Sequence, residues 1–414
     1  MKKIIIYYSH RQTLGHQSRI ANITASLRLH YSKKARVFLF NAGLPEECLH
    51  FPRGTVCVNL PTPFHSKHDF RIDRKNFVRG DIAGRSKFML EQVERIRPDV
   101  FVTEFFPFGR PDLIDEIFPV LRVLRTSGVK ILSSLGYPYV NPFFFTPDKL
   151  RTFVLLGKYY ENVLIHTPSR FEDGFAESSL DLAETEFQRH DLKKPFLDVM
   201  SAVKDKIIYT GYVASGKMKN ARRPACFGNS EYKGKTFVLV SRGGGVIYPK
   251  LLASAVLAKK ILGDGYVFLI VPGPASTDAE MALFSALVKQ AGGRGIMMQK
   301  YIPDLFRHVR YCDVSVSMCG YNTSVELMYF RKKSIVVPWQ LWENKNNSFF
   351  NDQIFRSLML KKYLGSRVIP YNAISAELIA EGIKEQLTKD RPGAVLREAD
   401  FEGADITAKR IMAS

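Results

Sequence analysis

The 414-residue sequence lacks several features that would assign it to a particular class of protein. Its five cysteines are an odd number without a C-x-x-C pair, which argues against a disulfide framework and a zinc site. No apolar run approaches the roughly 20 residues that span a bilayer, and the first run stops at Ser9, too early for a signal peptide. A D-x-D triplet, the carboxylate motif of a metal-bridged diphosphate, is also missing. These absences predict a cytoplasmic protein that requires no metal.

Acidic residues are scarce: 40 Asp and Glu stand against 60 Lys and Arg, so the net charge is +20. Such a charge attracts nucleic acid, anionic lipid or phosphorylated ligands. The basic residues are spread over both halves of the chain and no nucleic-acid-binding motif accompanies them. We therefore expect no nucleic-acid partner, although a basic nucleic-acid- or anion-binding protein without enzymatic activity remains an alternative.

Apolar strand-like runs alternate with amphipathic stretches along the whole chain, which is typical of parallel sheets with crossover helices. One series begins at residues 3–8 and a second at residues 237–241. The pattern predicts an α/β protein with two tandem Rossmann-like domains. The predicted divisions are an N-terminal domain at 1–213, a basic connector at 214–235 and a C-terminal domain at 236–414, whose last helix is a candidate to pack back on the first domain.

The loop after the first strand contains Gly15, His16 and Ser18. In an open α/β sheet the ligand lies beyond the carboxyl ends of the strands, so this loop is placed to meet it. Glycine allows close approach of a ligand to the backbone, and a histidine can act as a general base near neutral pH. An ordinary turn with an incidental histidine fits these residues equally well.

The first strand of the second series is followed by Ser241-Arg242-Gly243-Gly244-Gly245. Three glycines before a helix expose backbone N–H groups that suit a diphosphate, and Arg242 adds a positive charge. The spacing matches neither the P-loop nor the dinucleotide-binding fingerprint, which disfavours a P-loop ATPase or a nicotinamide dehydrogenase. A simple tight turn is the alternative.

A third motif runs from Gly320 to Glu326, between two strand-like runs. A carboxylate in the second turn of that helix can accept hydrogen bonds from two ribose hydroxyls. The alternative is an ordinary solvated glutamate.

Together these motifs resemble the GT-B glycosyltransferases, and within them the MurG-like branch that carries a family 28 C-terminal domain. The resemblance is most specific over residues 237–360. In the N-terminal half it rests on layout, on the Gly15-His16 pair and on the turn at 105–109 after the fourth strand. It implies two Rossmann-like domains that face each other across a cleft.

The resemblance also implies roles for individual residues. His16 is the candidate catalytic base. The glycine loop holds the donor diphosphate, Ile302 lines the base pocket through its backbone, and Glu326 binds the ribose. The full candidate set is, for the donor, Arg242, Gly243, Gly244, Gly245, Ile302, Gly320, Tyr321, Asn322, Thr323, Glu326, Asp352 and Gln353, and, for the acceptor or cleft, Gly15, Glu104 and Phe106.

The expected reaction is transfer of a sugar from a nucleotide-sugar, most simply a UDP-sugar, to an acceptor hydroxyl, without a metal cofactor. An E-x7-E pair typical of many retaining GT-B enzymes is absent, because Ser334 stands eight residues after Glu326 and Lys333 seven residues after it. Inversion at the anomeric carbon is therefore favoured. A nucleotide-sugar 2-epimerase of the same fold remains an alternative.

A membrane-bound acceptor is a further hypothesis. Residues 105–108 and 142–145 are rich in phenylalanine, and Lys149, Arg151 and Lys158 are nearby in the sequence. An apolar patch with a basic rim binds anionic membrane surfaces. This would place the protein at the inner face of the membrane with a lipid-linked or cell-envelope acceptor; burial of these aromatics in a core is the alternative.

Overall fold

The computed structural model describes residues 1–9, 14–43, 51–61, 79–108, 113–136, 147–171, 193–244, 249–339, 352–390 and 396–414. These residues form two compact units. The first contains most of the described chain before Ser215 together with Ala399–Ser414, and the second contains Ser215–Glu398. No helix in the described ranges is both long enough and apolar enough to cross a membrane.

The first unit is built on a seven-stranded parallel sheet with the strand order β3-β2-β1-β4-β5-β6-β7. Parallel strands covered on both faces appear in sequence as continuous apolar runs. The run Ile4, Ile5 and Ile6 is such a case, since all three side chains are completely buried. The strands are β1 Lys2–Tyr8, β2 Ala35–Asn41, β3 Val56–Asn59, β4 Val100–Glu104, β5 Lys130–Gly136, β6 Asn162–His166 and β7 Ile207–Tyr209.

Helices cover this sheet, and they follow the apolar periodicity of the sequence. In α3, for example, Ile117, Val120, Leu121 and Leu124 are buried, three or four residues apart. The helices of the first unit are α1 Gly15–Tyr31, α2 Arg79–Ile96, α3 Ile114–Thr126, α4 Pro147–Tyr159, α5 Lys193–Val203 and, from the end of the chain, α12 Gly403–Ala413.

The second unit contains a six-stranded parallel sheet with the order β10-β9-β8-β11-β12-β13. Its strands are β8 Thr236–Ser241, β9 Tyr266–Val271, β10 Ile296–Met298, β11 Val314–Ser317, β12 Ser334–Val336 and β13 Arg367–Val368. Its helices are α6 Pro249–Leu262, α7 Asp278–Gln290, α8 Phe306–Tyr311, α9 Tyr321–Tyr329, α10 Asp352–Leu364 and α11 Ala376–Thr388. Aliphatic side chains from α6, α11 and the strands form its core. The predicted α/β class with two Rossmann-like units is confirmed.

The last helix, α12, belongs to the first unit. Lys2 Nζ donates hydrogen bonds to the backbone carbonyls of Met412, at 2.9 Å, and Ser414, at 2.5 Å. Upstream of the helix, Arg170 forms an ion pair with Asp400. Hydrogen bonds therefore connect the last helix with the first strand, and an ion pair connects the segment before it with the segment after β6.

In each sheet the strand order reverses once: the connection after one strand leads towards one edge of the sheet, and the connection after its neighbour leads towards the other edge. Ligands of open α/β sheets bind at such a switch point. In the first sheet it lies where β1 and β4 are neighbours, and in the second where β8 and β11 are neighbours. The strand ends Tyr8 and Glu104, and Ser241 and Ser317, therefore mark the two places where a functional site is expected.

Candidate active site

His16 lies in the first turn of α1, directly after the loop that follows β1. Its Nδ1 atom is 3.3 Å from Oε1 of Glu104, the last residue of β4. The switch point of the first sheet thus brings together a histidine and a carboxylate that are 88 residues apart in the sequence. The His16 ring also packs edge-on against Phe105, at 5.0 Å between ring centroids.

Glu104 is a fully buried carboxylate, and Arg19 supplies its counter-charge. Arg19 Nε donates to Glu104 Oε1 at 2.8 Å, and the terminal nitrogen Nη2 contacts the same oxygen. Burial alone would raise the pKa of Glu104, but the Arg19 guanidinium and the hydrogen bond from His16 outweigh it and lower the pKa to about 2. Glu104 is therefore ionised throughout the physiological pH range.

The charge on Glu104 decides the tautomer of His16. A lone pair on Nδ1 would face an ionised carboxylate oxygen, whereas a proton there makes a hydrogen bond to it. Arg19 Nη2 also lies 3.2 Å from this Nδ1, but both groups are donors in this tautomer, so Nη2 bonds the shared Glu104 oxygen and makes no hydrogen bond to His16. With Nδ1 protonated, the basic nitrogen of the ring is Nε2. This is the arrangement in which a carboxylate orients a histidine for general-base chemistry.

The prediction that Phe106 lines the acceptor cleft is wrong, because its side chain is completely buried in the core. Its carbonyl accepts hydrogen bonds from the hydroxyls of Thr103, at 3.0 Å, and Ser133, at 2.9 Å. Phe108 is buried as well and packs against Phe153. Residues 105–108 thus do not form the predicted apolar patch; residues 142–145 lie outside the described ranges.

In the second unit, the glycine loop departs from the end of β8. Gly243 has a φ of +77°, in the left-handed region that favours glycine, and Gly244 follows it; Gly245 lies outside the described residues. Gly273, after the neighbouring strand β9, has a φ of +106°. A Cβ atom on Gly273 would lie 2.2 Å from the carbonyl oxygen of Gly243, so only glycine allows the two loops to approach this closely.

The Arg242 guanidinium is engaged inside the protein. It makes two hydrogen bonds to Glu280, at 3.1 and 3.0 Å, one to the Ser276 hydroxyl and one to the Pro272 carbonyl. Glu280 also completes a capping box with Thr277 at the start of α7. The prediction that Arg242 offers its charge to a phosphate is therefore wrong. The Arg242 side chain instead connects the glycine loop with the loop after β9 and with α7.

The turn between β11 and α9 presents backbone N–H groups. Gly320 is the N-cap residue of α9, and no described side chain caps this end of the helix. A Cβ atom on Gly320 would meet no described atom within 4 Å. Tyr321 is buried, whereas Asn322 and Thr323 are half-buried in the first turn. An uncapped helix N-terminus of this kind favours an anion.

Glu326 lies one turn further along α9 and is half-buried. Its burial, together with the nearby Asp304 carboxylate, raises the pKa of Glu326 to about 8. Asp304 adopts a left-handed φ of +52° in the loop after β10 and pairs with Lys217 at 3.2 Å. Ile302, two residues before Asp304 in the same loop, is buried.

Asp352 and Gln353 begin α10, and Arg356 links Asp352 to the turn before α9. Arg356 Nε donates to the Cys319 carbonyl at 2.7 Å and its terminal nitrogen pairs with Asp352. Gln353 Oε1 accepts from the backbone N–H of Trp339 at 3.1 Å. The structure therefore connects the start of α10 with the carboxyl ends of β11 and β12.

Comparison with known proteins gives a fold rather than a sequence family. No protein-family model and no curated protein matches the sequence. Solved structures match over the whole chain. A UDP-glucosyltransferase from Polygonum tinctorium gives a TM-score of 0.58 at 15% identity and covers 100% of this chain and 99% of its own. MurG from Acinetobacter baumannii gives 0.54 at 11% identity, with 100% and 99% covered. MnaA from S. aureus, in a structure with UDP, gives 0.56 at 13% identity, with 100% and 95% covered. The chain has the GT-B fold.

Sequence reasoning missed several residues that shape the sites of this GT-B chain. Arg19 stands three residues after His16 on α1, so helical spacing could have placed them on one face. Ser134 and His166 lie near the carboxyl ends of β5 and β6, where polar residues in apolar strands are a usable indication. Gly273 carried no such indication, because its need for glycine comes from a contact with a distant loop.

Replacing Gly273 by alanine is expected to lower the free energy of unfolding by about 2 kcal/mol or more. The new methyl group meets the Gly243 carbonyl and also forces a positive φ on a residue with a side chain. Gly292→Ala is the matched control, because Gly292 has a φ of +91° but no described atom within 4 Å of a Cβ. It should lower the free energy of unfolding by about 1–2 kcal/mol, the cost of the positive φ alone. Urea unfolding measures both variants; a loss in Gly273→Ala no larger than in Gly292→Ala would contradict the role of the close approach.

Glu326→Gln is expected to remove a pH-dependent loss of stability. The unfolded chain ionises this glutamate near pH 4.5, whereas the folded chain holds its proton until about pH 8. Folding therefore favours the protonated form, so stability is full below pH 4.5 and falls as the pH rises towards 8. Glutamine does not titrate, so the variant should gain about 1–2 kcal/mol over wild type between pH 5 and 8. Urea unfolding at both pH values measures this gain, with Glu231→Gln, an exposed site, as the control. Parallel pH curves for wild type and Glu326→Gln would contradict the raised pKa.

Proposed function

We propose that the protein is a glycosyltransferase that moves a sugar from a UDP-sugar to an acceptor hydroxyl with inversion at the anomeric carbon. The observation that carries this proposal is the pair of His16 and the buried, ionised Glu104 at the switch point of the first sheet. The GT-B fold and the neighbours solved with UDP support a nucleotide-sugar donor.

The proposed chemistry divides between the two units. In the first, His16 Nε2 takes the proton of the acceptor hydroxyl as its oxygen attacks the anomeric carbon, and Glu104 stabilises the imidazolium that forms. In the second, N–H groups of the glycine loop and of the α9 N-terminus stabilise the charge on the departing diphosphate. Glu326 binds the ribose hydroxyls. Bond formation to the acceptor oxygen and loss of UDP in one displacement give inversion.

Donor binding is the first test of this proposal. UDP, GDP, dTDP and ADP, with UDP-glucose and UDP-N-acetylglucosamine, are compared by thermal shift, since a ligand that binds only the folded state raises the melting temperature. UDP and one UDP-sugar should stabilise the protein. Transfer is then followed by NMR of the product anomer with polyprenyl-linked sugars, aromatic hydroxyls and free sugars as acceptors. A product that retains the donor configuration would contradict inversion, and conversion of the nucleotide-sugar without any acceptor would select epimerisation.

Activity is expected to survive in excess EDTA. The proposal assigns the diphosphate charge to backbone N–H groups, and the sequence lacks a D-x-D motif for a bridging metal. Initial rates with and without EDTA, and after re-addition of Mg²⁺ or Mn²⁺, measure this. Complete loss of activity that a metal restores would contradict metal independence.

We also propose a cytoplasmic location, with binding to the anionic inner face of a membrane if the acceptor is lipid-linked. The net charge of +20 supports such binding. Sedimentation with vesicles of phosphatidylglycerol, compared with phosphatidylcholine alone, tests it. Equal recovery of the protein with both kinds of vesicle would contradict binding to an anionic membrane surface.

A further inference from the structure

Behind Glu104 a chain of buried polar side chains runs across three neighbouring strands. Ser134 Oγ is 2.7 Å from Glu104 Oε2 and 2.9 Å from His166 Nε2. On the other side of its ring, His166 Nδ1 is 2.8 Å from the Thr210 hydroxyl. The side chains of Glu104, Ser134, His166 and Thr210 are all fully or almost fully buried. The proposed mechanism uses Glu104 but none of the other three.

The charge on Glu104 fixes the direction of every hydrogen bond in this chain. An ionised carboxylate can only accept, so the single hydroxyl proton of Ser134 points to Glu104. Ser134 Oγ must then accept from His166, which requires a proton on Nε2. Nδ1 is consequently the acceptor of the Thr210 hydroxyl proton, which in this direction of the chain goes to the ring at 2.8 Å rather than to the backbone carbonyls of Gly211, at 3.0 Å, and Ile165, at 3.3 Å. The alternative direction would place two oxygen lone-pair regions 2.7 Å apart at Ser134 and Glu104.

The protonation state of His166 agrees with this direction. Burial, with the Arg19 guanidinium nearby, lowers the pKa of His166 to about 3 although Glu104 acts in the opposite sense. The ring is therefore neutral over the working pH range and carries one proton. A neutral histidine adds a fixed dipole beside Glu104 without adding a second positive charge that would compete with His16.

We propose that Thr210, His166 and Ser134 form a directional hydrogen-bond relay that holds the second oxygen of Glu104, so that its first oxygen stays aligned with His16. The inference rests on the proposed function, and the three residues are positioning residues because they act through Glu104. Arg19 and His16 on α1, Ser134 on β5 and His166 on β6 are the charged, titratable or hydrogen-bonding groups that the described structure places against Glu104.

The chain itself offers a matched control. Ser133 is as buried as its neighbour Ser134, but its hydroxyl donates to the Phe106 carbonyl and not to Glu104. Ser134→Ala should lower kcat about 10-fold while KM for the UDP-sugar stays unchanged, because a loosened carboxylate misaligns the base without touching the second unit. Ser133→Ala removes a hydrogen bond of the same kind and should leave kcat within about twofold of wild type.

Two more readouts separate positioning from packing. With one donor fewer, the Glu104 carboxylate stabilises the His16 imidazolium more strongly, so the acid limb of kcat/KM should move to higher pH in Ser134→Ala but not in Ser133→Ala. His166→Gln keeps an N–H at the ε position and should retain most of kcat, whereas His166→Met should lose as much as Ser134→Ala. Because both residues act through one carboxylate, the double variant Ser134→Ala/His166→Met should lose no more than either single variant.

A measurement that needs no activity keeps the relay testable if the transferase proposal fails. In ¹⁵N-histidine-labelled protein, the resonance lost in His166→Gln should show the Nε2–H tautomer and should not titrate between pH 5 and 8. An Nδ1–H tautomer would reverse the chain and overturn the relay, whatever the activity. Equal losses of kcat in Ser133→Ala and Ser134→Ala would also overturn it, whereas absence of transfer by wild type with the predicted tautomer intact would count against the function alone.

Discussion

Replacing His16 by glutamine is expected to lower kcat for sugar transfer by about 10²–10⁴-fold, the usual contribution of a positioned general base. Glutamine can still donate a hydrogen bond to Glu104, so the buried carboxylate keeps a partner and the fold is preserved. It cannot take the proton of the acceptor hydroxyl. UDP affinity should be unchanged, because the proposed UDP ligands all belong to the second unit.

The control for this variant lies on the same helix. His30 is near the end of α1, about half exposed, and 3.4 Å from Asp405. His30→Gln should leave kcat and KM at wild-type values. Steady-state kinetics with a saturating donor compares the three proteins, and a His16→Gln enzyme that keeps more than about a tenth of wild-type kcat would remove His16 from the role of base.

Glu326→Ala is expected to weaken UDP binding by about 10²–10³-fold. Hydrogen bonds to a charged group each contribute about 1.5–3 kcal/mol, and the proposal assigns two ribose hydroxyls to this carboxylate. Since burial keeps Glu326 largely protonated at pH 7 in the free protein, donors from the ribose should favour its ionisation. UDP binding at pH 7 should therefore release a proton, and Glu326→Ala should abolish that release.

Calorimetric titration in two buffers of different ionisation enthalpy measures affinity and proton release together. 2′-Deoxy-UDP serves as a matched ligand: wild type should bind it about 10-fold more weakly than UDP, and Glu326→Ala should bind both alike. Glu231→Ala, at an exposed site in the same unit, should behave as wild type. If Glu326→Ala still distinguishes the two ligands, the ribose is bound elsewhere.

Much of the fold could be predicted because its information is local. The buried strands of parallel sheets leave continuous apolar runs, and their helices leave a 3.6-residue period, so both series of strands were visible in the sequence. Strand order then places the ends of β1 and β4, and of β8 and β11, at ligand-binding positions. His16, the glycine loop and the α9 turn all follow from that rule.

Side-chain partners could not be predicted in the same way. Arg242 and Phe106 stand next to site residues in the sequence, yet one pairs with Glu280 and the other is buried in the core. Both outcomes depend on contacts with segments far along the chain, which a loop motif does not contain. Glu104 was placed at the cleft from sequence, but its ionisation depends on Arg19, and the sequence does not show which cation reaches a buried carboxylate.

The fastening of α12 to the first unit has a consequence for how the protein is made. The first unit needs residues from both ends of the chain: Lys2 contacts Met412 and Ser414, and the backbone of Gly211 and Tyr212 packs on the segment around Gly403. During synthesis from the N-terminus, all of Ser215–Glu398 leaves the ribosome before Ala399–Ser414. The second unit can therefore fold completely before the residues of α12 are available to the first unit. The unit whose strands are translated first is thus the unit that completes its fold last.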